Sequence, residues 1–526
     1  MKKWLKITLL TIFSLTLLLI IYIYSNIYDR NSGYNLDLSL PNTSTSVISK
    51  YIKVGLDKQT ITPNVVDSWI DKDHNAKYEP DKGDEFIDKN GNGKFDAYWI
   101  AGFGNKRAAA GVHDDIWARA VLWDDGNTIV ALVVLDAIGF FHDDVITVRK
   151  MVAEKYPEID HVIVSSIHNH EVPDLLGQWG PGIFTSGVNP EYKRYVEEQA
   201  VKAIGNAYKK RRSAVIKYSK IDSIARDLVG DTRPPYVWDD NIRIMQFCDP
   251  QSDKPFGLFL NWGNHPETVG SDNLLITADF AHYWLEGLEK GIFYNGEMKR
   301  TGFDGTVVYA NGAIGGLMTS LRDSIYDPWL DKKFKKSGFD KARTQGYRLA
   351  NLVMDEIEKG HWKSEDKPQI KLEAKTFNFS LENKLFMLAS ALGVLKRGLA
   401  DFGLRSEVDF MTIGNISLLT VPGEIYPEIV NGGVERPDGA DYPEKIIESP
   451  PLRDVMPGKI KFVIGLANDE VGYILPLSQW DAEKPYTYGA KKRWYGEVNS
   501  VGHEAGPLFY KEAVQLINKM KNITDN

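Results

Sequence analysis

The chain has 526 residues, of which 43% are hydrophobic and 25% charged, a composition typical of a globular protein large enough for one very large domain or several smaller ones. Its formal net charge is −8, with one short basic run at 209–212, which argues against a nucleic-acid partner. A single cysteine, Cys248, excludes an internal disulfide framework, so the folded body depends on its core and on any metal that it binds.

The N-terminus predicts a membrane anchor. Lysines at positions 2, 3 and 6 precede an unbroken apolar or hydroxyl stretch over 7–24, which is long enough to span a bilayer. No small-residue cleavage pattern follows, which favours an uncleaved signal-anchor over a removed signal peptide; a cleaved segment would give a secreted protein. We expect residues 1–28 to be the anchor, 29–50 a polar stalk and 51–526 an extracytoplasmic body.

Strand-like and helical stretches alternate along this body. Apolar runs at 128–135, 161–167, 256–261, 305–309 and 411–420 are separated by helix-like segments at 144–155, 190–210 and 341–359. Such alternation predicts the α/β class, with a large, substantially parallel or mixed β-sheet flanked by helices in a single large catalytic-type domain.

An acidic insertion at 71–96 departs from this alternation. Oxygen-bearing side chains recur there at the spacing of calcium-binding loops. One copy has a glycine at the sharp turn and the other lacks it; the proposed ligands are Asp88, Asn90, Asn92 and Asp96 in the first, and Asp71, Asp73, Asn75 and Glu79 in the second. The pattern predicts one or two structural calcium ions, and the alternative is a solvated acidic loop.

Two histidine motifs follow apolar runs. His168-Asn169-His170 closes the run that begins at His161, and His265 follows the run at 256–260. Alternate residues of an extended chain point to the same side, so His168 and His170 can present both imidazoles to one metal or one substrate. Strand ends are where α/β proteins build their sites, although a hydrogen-bonded surface histidine is the alternative for each residue.

These motifs occur in an order that resembles the neutral/alkaline non-lysosomal ceramidases, which are zinc-dependent amidases. The body is similar to the N-terminal catalytic domain of that family over most of its length. The other motifs that carry the resemblance are Gly111–Ala120, Leu135-Asp136, Ser271-Asp272-Asn273, Asn311–Gly315, Val421–Glu424 and Asn468–Tyr473.

The resemblance implies one catalytic zinc, whose ligands are His168, His265, Glu424 and Tyr473. It implies that His170 acts beside the metal as a hydrogen-bond donor or proton shuttle, that Arg233 binds the substrate or the developing oxyanion, and that Tyr495 is a second tyrosine near the site. Zinc-bound hydroxide would then attack an amide or ester carbonyl. Iron or manganese could occupy the same set of nitrogen and oxygen ligands.

The chain departs from the family after the glycine-rich loop. The family has a Gly-Asp-Val-Ser-Pro run whose serine assists the amide chemistry, whereas this chain reads Gly315-Gly316-Leu317-Met318-Thr319. A hydroxyl is therefore missing unless Thr319 or Ser320 supplies it. We predict a membrane-anchored extracytoplasmic zinc hydrolase acting on a small-molecule or lipid-like amide or ester. The alternative is a non-catalytic surface protein of the same fold that binds lipid or glycan and carries structural calcium.

Overall fold

The computed structural model describes residues 2–41, 51–222, 227–401 and 403–524. Within these ranges the chain forms ten α-helices: α1 (Lys2–Ile27), α2 (His142–Lys155), α3 (Pro190–Lys210), α4 (Asp279–Glu289), α5 (Phe339–Lys359), α6 (Lys384–Ala391), α7 (Pro427–Asn431), α8 (Leu452–Val455), α9 (Tyr495–Val498) and α10 (Ala505–Thr524).

The strands in the same ranges are β1 (Asp37–Leu40), β2 (Ile52–Thr60), β3 (Ser68–Ile70), β4 (Glu85–Ile87), β5 (Gly111–Val112), β6 (Trp117–Asp124), β7 (Ile129–Leu135), β8 (His161–Ser166), β9 (Arg212–Ile221), β10 (Ile242–Cys248), β11 (Pro255–Trp262), β12 (Leu275–Ile276), β13 (Gly291–Tyr294), β14 (Glu297–Thr301), β15 (Thr306–Asn311), β16 (Ile325–Asp327), β17 (Lys332–Phe334), β18 (Lys363–Ser364), β19 (Ile370–Ser380), β20 (Gly403–Ile413), β21 (Ile416–Thr420), β22 (Glu424–Ile425), β23 (Ile460–Ile464) and β24 (Tyr473–Ile474).

The larger sheet is mixed, as the sequence predicts. Its strand order is β15-β11-β10-β9-β2-β6-β7-β8, with β18 added beside β9. The β11–β15 and β7–β8 pairs are parallel, and the other neighbours in this order are antiparallel. The predicted class, an α/β protein with a large mixed sheet and flanking helices, is confirmed.

A second sheet has the order β1-β19-β20-β21-β23. Its β20 and β21 correct the prediction of one continuous strand over 411–420, because the chain reverses at Gly414 and Asn415 and pairs Ile413 with Ile416. Gly414 has φ of +58°, which a tight two-residue hairpin requires and which glycine adopts without a steric penalty.

The two sheets pack face to face, with helices on their outer faces. Alternation in β7 shows how the sequence produces this layering. Leu132 belongs to the core between the sheets, and Val133 packs with α2 and α3 on the outer face. Phe259 and Phe462 meet across the inner core with ring centroids 5.5 Å apart. On the outer face of the second sheet, α10 packs against Phe410 and its neighbours.

The N-terminal segment is partly built into the fold. Within α1, Lys3–Ile27 is long and apolar enough to cross a membrane, and its most apolar stretch is not buried in the protein. β1 pairs with β19 from Asp37↔Lys375 to Leu40↔Leu372, so these residues form an edge strand where the sequence analysis expects a stalk. Residues 42–50 of that predicted stalk lie outside the described residues.

The larger sheet curls until strands at its two ends meet. The Asn311 side-chain amide, at the end of β15, donates to the carbonyl of Ile167 just after β8 (2.8 Å). In β11, Asn261 pairs with Ala310 of the parallel strand β15. The carboxyl ends of β8 and β11 therefore lie close together although the strands are far apart in the order of the sheet.

Candidate metal centre

His168 and His170 meet by a route that differs from the predicted one. His168 follows β8 with φ of +63°, so the segment is not the extended chain from which the sequence argument began. A non-glycine residue in this conformation is strained, and such strain concentrates at functional sites. The two rings nevertheless lie with centroids 5.0 Å apart, and both side chains are buried.

His265 completes a cluster of three imidazoles. Its ring centroid lies 5.0 Å from that of His168 and 5.6 Å from that of His170. Each of the three side chains offers a nitrogen, and these atoms all lie within 4.8 Å of one another. The curl of the sheet is what brings the ends of β8 and β11 into this contact.

Glu424 and Tyr473 enter from a two-stranded parallel pair, β22 and β24, in which they are direct partners. Glu424 Oε2 lies 3.0 Å from His265 Nε2 and 3.6 Å from His168 Nε2. Tyr473 Oη is 3.5 Å from the same His265 nitrogen. The structure thus brings together all four side chains that the resemblance gives as zinc ligands. His170 lies in the same cluster.

The hydrogen bonds of the two histidines orient lone pairs toward Glu424. His168 Nδ1 donates to the carbonyl of Ile138 (2.7 Å), and His265 Nδ1 donates to that of Met318 (2.8 Å). In the neutral tautomers fixed by these bonds, both Nε2 atoms carry lone pairs that face a carboxylate. Acceptors converge in this way around a cation, and a backbone carbonyl is a usual outer partner of a metal-binding histidine.

Burial keeps most of these groups in the forms that bind metal. It lowers the pKa of His168 to about 4, which leaves the imidazole neutral at pH 7. Burial also opposes the charged form of His265, but the hydrogen bond and negative charge of Glu424 outweigh it and raise the pKa of that ring. The close contact between His265 and Glu424 therefore shifts the pKa of each group toward its charged form.

His170 lies beside a second carboxylate. Its Nδ1 is 3.2 Å from Glu267 Oε2, outside hydrogen-bond geometry, and neither ring nitrogen has a hydrogen-bond partner. Burial lowers the pKa of His170 well below its usual value and raises that of Glu267. A buried imidazole without hydrogen-bond partners, next to a carboxyl group whose pKa is raised, is suited to exchange a proton with a bound molecule.

Arg233 forms a buried ion pair with Glu497. Its guanidinium donates to Glu497 Oε1 (2.6 Å) and to the carbonyl of Gln479 (2.8 Å), and it lies over the rings of Tyr426 and Trp494. It is not among the residues that line the cavity beside the histidines. Both hydrogen bonds use Nη2, whereas the buried Nε and Nη1 of Arg233 have no hydrogen-bond partner, and the expected contact of Arg233 with substrate stays a prediction.

Tyr495 and Thr319 do line the cavity. Tyr495 is 51% exposed and its ring centroid lies 5.7 Å from that of Tyr473, which places it between the centre and solvent. Thr319 lowers the pKa of Glu267, whereas the Ser320 hydroxyl donates to Gln345 (3.2 Å). Of the two hydroxyls left open by the sequence, Thr319 is therefore the one at the site.

The cavity itself is about 270 Å³ and is lined mainly by apolar and aromatic side chains. The apolar side chains and phenyl or indole rings in this lining include Phe103, Phe141, Leu176, Trp179, Leu381, Phe386, Leu395 and Leu404. A cavity with a mainly apolar lining and a few polar groups is suited to hold an apolar group of a ligand.

Sequence reasoning passed over four charged residues in the lining of this cavity: Glu267, Arg322, Arg397 and Glu470. Glu267 stands two residues after His265 and Glu470 three before Tyr473, so proximity to nominated residues was the available signal. Burial and the charge of Glu424 raise the pKa of Glu470 well above its usual value. No sequence pattern marks Arg322, which is exposed at the cavity and lowers the pKa of Glu267 through its charge.

The acidic insertion has a different geometry in its two halves. Carboxylate oxygens of Asp71, Asp73 and Asp84 lie within 4.8 Å of one another, and Asp84 is an addition to the predicted set. Glu79 instead pairs with Lys82 (2.6 Å) and Lys106 (2.7 Å).

In the other half, Asp88 accepts hydrogen bonds from the backbone amides of Gly91, Asn92 and Gly93. The side-chain amides of Asn90 and Asn92 donate to Asp96 Oδ2 (2.6 and 2.7 Å). All four predicted residues of this half therefore belong to one turn.

No protein-family model and no curated protein sequence matches this chain. Solved structures do match it. A ceramidase complexed with C2 is similar over 90% of this chain and 75% of its own, with a TM-score of 0.64 and 14% identity. A neutral ceramidase from Pseudomonas aeruginosa is similar over 91% of this chain and 75% of its own, with a TM-score of 0.63 and 14% identity. The chain therefore has the ceramidase fold that its ordered motifs predict.

Proposed function

We propose that this chain, which has the fold of the neutral ceramidases, is a membrane-anchored, extracytoplasmic, zinc-dependent hydrolase that cleaves an amide or ester bond of a lipid-like substrate. The observation that carries the proposal is the convergence of His168, His265 and Glu424 in the wall of a largely apolar cavity, with both Nε2 lone pairs turned toward the carboxylate. A hydrolase of this class needs such a centre beside a space for an acyl chain.

The residues fit a zinc ion. His168, His265 and Glu424 would hold it, with the Tyr473 phenol as a fourth, weaker ligand. A Zn²⁺ ion in such a set supplies a Lewis acid and lowers the pKa of water toward ~7. Two neutral imidazoles and one carboxylate leave the set with a single negative charge, so the bound ion keeps net positive character.

The other residues of the site handle protons and position groups. His170 exchanges a proton with the bound substrate, and Glu267 accepts or returns it. Thr319 lines the cavity together with Glu267 and supplies the hydroxyl at the site. Arg233 is a positioning residue that acts through Glu497 and the chain at Gln479, and Tyr495 covers the centre on its solvent side.

We also propose that the insertion at 71–96 binds one or two structural calcium ions. The cluster of Asp71, Asp73 and Asp84 supports the first ion, because hard cations take carboxylate oxygens at this spacing. The turn around Asp88 supports the second. Glu79 is not proposed as a ligand in this arrangement, because two lysines occupy its oxygens.

Metal analysis of the full chain, purified in detergent without added metal, tests the hydrolase proposal. We expect about one zinc per chain, as for a single catalytic site. The double variant His168→Ala/His265→Ala should lose this zinc together with hydrolysis of N-acyl amides. The matched control is His361→Ala, an exposed histidine, which should keep both. Calcium without any transition metal in the wild type would instead support the non-catalytic lipid- or glycan-binding protein.

A further inference from the structure

Helix α6 exposes apolar side chains beside the cavity. Leu385 is 66% exposed and Leu388 50%, with Met387 also exposed between them. Phe386 of the same short helix lines the cavity. Single exposed apolar residues are ordinary on a soluble protein, but three within four residues form an apolar patch, and such patches mark surfaces that contact another molecule or a membrane.

The C-terminal end of α1 is bound directly to the chain that follows α6. Tyr22 Oη donates to the carbonyl of Leu392 (2.8 Å), and Asn26 Nδ2 donates to that of Ala391 (3.0 Å). The backbone amide of Leu399 donates to the carbonyl of Ile27 (2.9 Å). These bonds fix α6 relative to the end of the anchor.

The same end of α1 carries the residues that mark a membrane interface. Tyrosines stand at positions 22, 24 and 28, and Arg30 follows them. Tyrosine is enriched where a spanning helix leaves the hydrocarbon, because its ring is apolar and its hydroxyl is polar. Tyr22 therefore places the C-terminal end of α6 at the height of the bilayer surface.

A second apolar projection lies next to α6. Trp179 lines the cavity and packs with Phe386 and Ala389 in one small cluster. The chain beyond it carries Ile183 and Phe184, which are 69% and 67% exposed. Two of the cavity-lining aromatic residues, Trp179 and Phe386, thus each belong to a segment with exposed apolar residues.

We propose that Leu385, Met387 and Leu388 of α6, with Ile183 and Phe184, form a membrane-contact surface that enters the leaflet into which α1 emerges. The cavity then opens toward that leaflet and takes its lipid substrate from the membrane that anchors the enzyme. The proposal rests on the proposed function for the anchor and for a lipid-like substrate.

Charge supports the bilayer as the occupant of this surface. Lys384, at the start of α6, is exposed, and Arg30 donates to the carbonyl of Lys396 (3.1 Å). Basic residues beside apolar ones are typical of helices that lie in a membrane interface, where they meet lipid phosphates. A surface that binds a protein partner would have no physical reason to lie at the point where α1 leaves the bilayer.

A fluorescence experiment tests the surface without using activity. Cys248 is the single cysteine and is buried, so a cysteine introduced at Leu388 can be labelled selectively with an environment-sensitive fluorophore. The control is the same label at Met298, on β14, which is 52% exposed. In the full chain reconstituted in vesicles with doxyl-labelled phosphatidylcholine, we expect several-fold stronger quenching at Leu388. Equal quenching at the two positions, whether strong at both or weak at both, overturns the proposal.

An activity experiment tests lateral entry. Leu388→Glu should lower turnover of a long-chain N-acyl amide in the same vesicles by about tenfold, because a carboxylate resists entry into the leaflet. Turnover of a short-chain, water-soluble N-acyl amide should stay at the wild-type level, as should both rates in Met298→Glu. Equal losses on the two substrates would mean that α6 shapes the cavity itself and would overturn lateral entry. Absence of hydrolysis in the wild type would instead count against the proposed function, and the quenching result would still decide the surface.

Discussion

Glu424 and Tyr473 are direct partners in a parallel strand pair only two residues long on each side. The pairing holds the phenol beside the carboxylate, and burial together with the charge of Glu424 raises the pKa of Tyr473 well above its usual value. The phenol therefore keeps its proton in the metal-free protein and hydrogen-bonds Glu424. This contact orients the carboxylate toward His168 and His265.

Tyr473→Phe should weaken zinc binding by about ten- to 100-fold, the usual effect of losing a group that orients a metal ligand. The measurement is a competition titration of the full chain against a chromophoric chelator. Tyr510→Phe is the control, because the Tyr510 hydroxyl, on α10, donates to the carbonyl of Pro450 and not to a group of the metal site, so the affinity should be unchanged. An unchanged affinity in Tyr473→Phe would exclude the phenol from the metal site.

Arg233 and Glu497 form a buried ion pair, so removal of one partner should destabilise the protein. We expect Arg233→Met to lower the free energy of unfolding by about 3–5 kcal/mol, because it leaves the Glu497 carboxylate buried without its cation. The double variant Arg233→Met/Glu497→Met should recover much of that loss and of the turnover. Denaturant unfolding and kcat measure the two effects. A double variant that is stable but inactive would indicate instead that Arg233 contacts the substrate directly.

The Thr319 hydroxyl should matter for turnover and the Ser320 hydroxyl for stability. Thr319→Val removes the group that faces the cavity and should lower kcat about tenfold or more, within the range for general acid–base assistance. Ser320→Ala breaks buried hydrogen bonds and should cost about 1 kcal/mol of stability with kcat unchanged. Equal kcat values in the wild type and Thr319→Val would show that the hydroxyl has no role in the reaction.

Calcium should stabilise the acidic insertion. Binding to the folded state at 100 times the dissociation constant contributes about 2.7 kcal/mol, so millimolar Ca²⁺ should raise the melting temperature by a few degrees. Asp88→Ala/Asp71→Ala should abolish the shift, and Asp272→Ala, an exposed aspartate elsewhere, should retain it. A wild-type melting temperature insensitive to Ca²⁺ would favour the solvated loop.

A buried histidine remote from the proposed zinc ligands predicts a pH dependence of stability. Burial and the charge of Arg149 lower the pKa of His161 from 6.5 to about 3. Below pH 6.5 the imidazole of His161 is protonated in the unfolded chain but stays neutral in the folded protein. The contribution of His161 to the free energy of unfolding is therefore fully present above pH 6.5 and is lost as the pH falls toward 3. The slope is up to about 1.4 kcal/mol per pH unit.

The comparison that isolates this effect is between the wild type and His161→Gln in denaturant unfolding from pH 7 to pH 5. The difference in unfolding free energy between the two should shrink steadily as the pH falls, since only the wild type has the linked proton. A difference that stays constant across this range would mean that His161 takes up a proton as readily in the folded protein as in the unfolded chain.

Much of the layered fold was predictable, because local patterns of apolar residues along the chain indicate its strands and helices. The apolar runs that gave β7, β8 and β11 are buried on both faces, and the helix-like segment predicted at 190–210 matches α3 residue for residue. The prediction failed at Gly414, where an apolar run contains a hairpin, because hydrophobic periodicity does not register a two-residue reversal. It also missed β1, whose four residues become a strand only through pairing with β19.

The sequence by itself determined the chemical types at the centre and their order along the chain, since His168, His265, Glu424 and Tyr473 each stand in a recognisable motif. Only the tertiary structure decided that they meet, because the contact depends on the curl of a sheet and on a two-residue strand pair. It also decided that Thr319 faces the cavity, that Arg233 pairs with Glu497, and that α6 lies beside the end of α1. Motifs record which groups are present, whereas distances between segments remote in sequence are set by packing of the whole core.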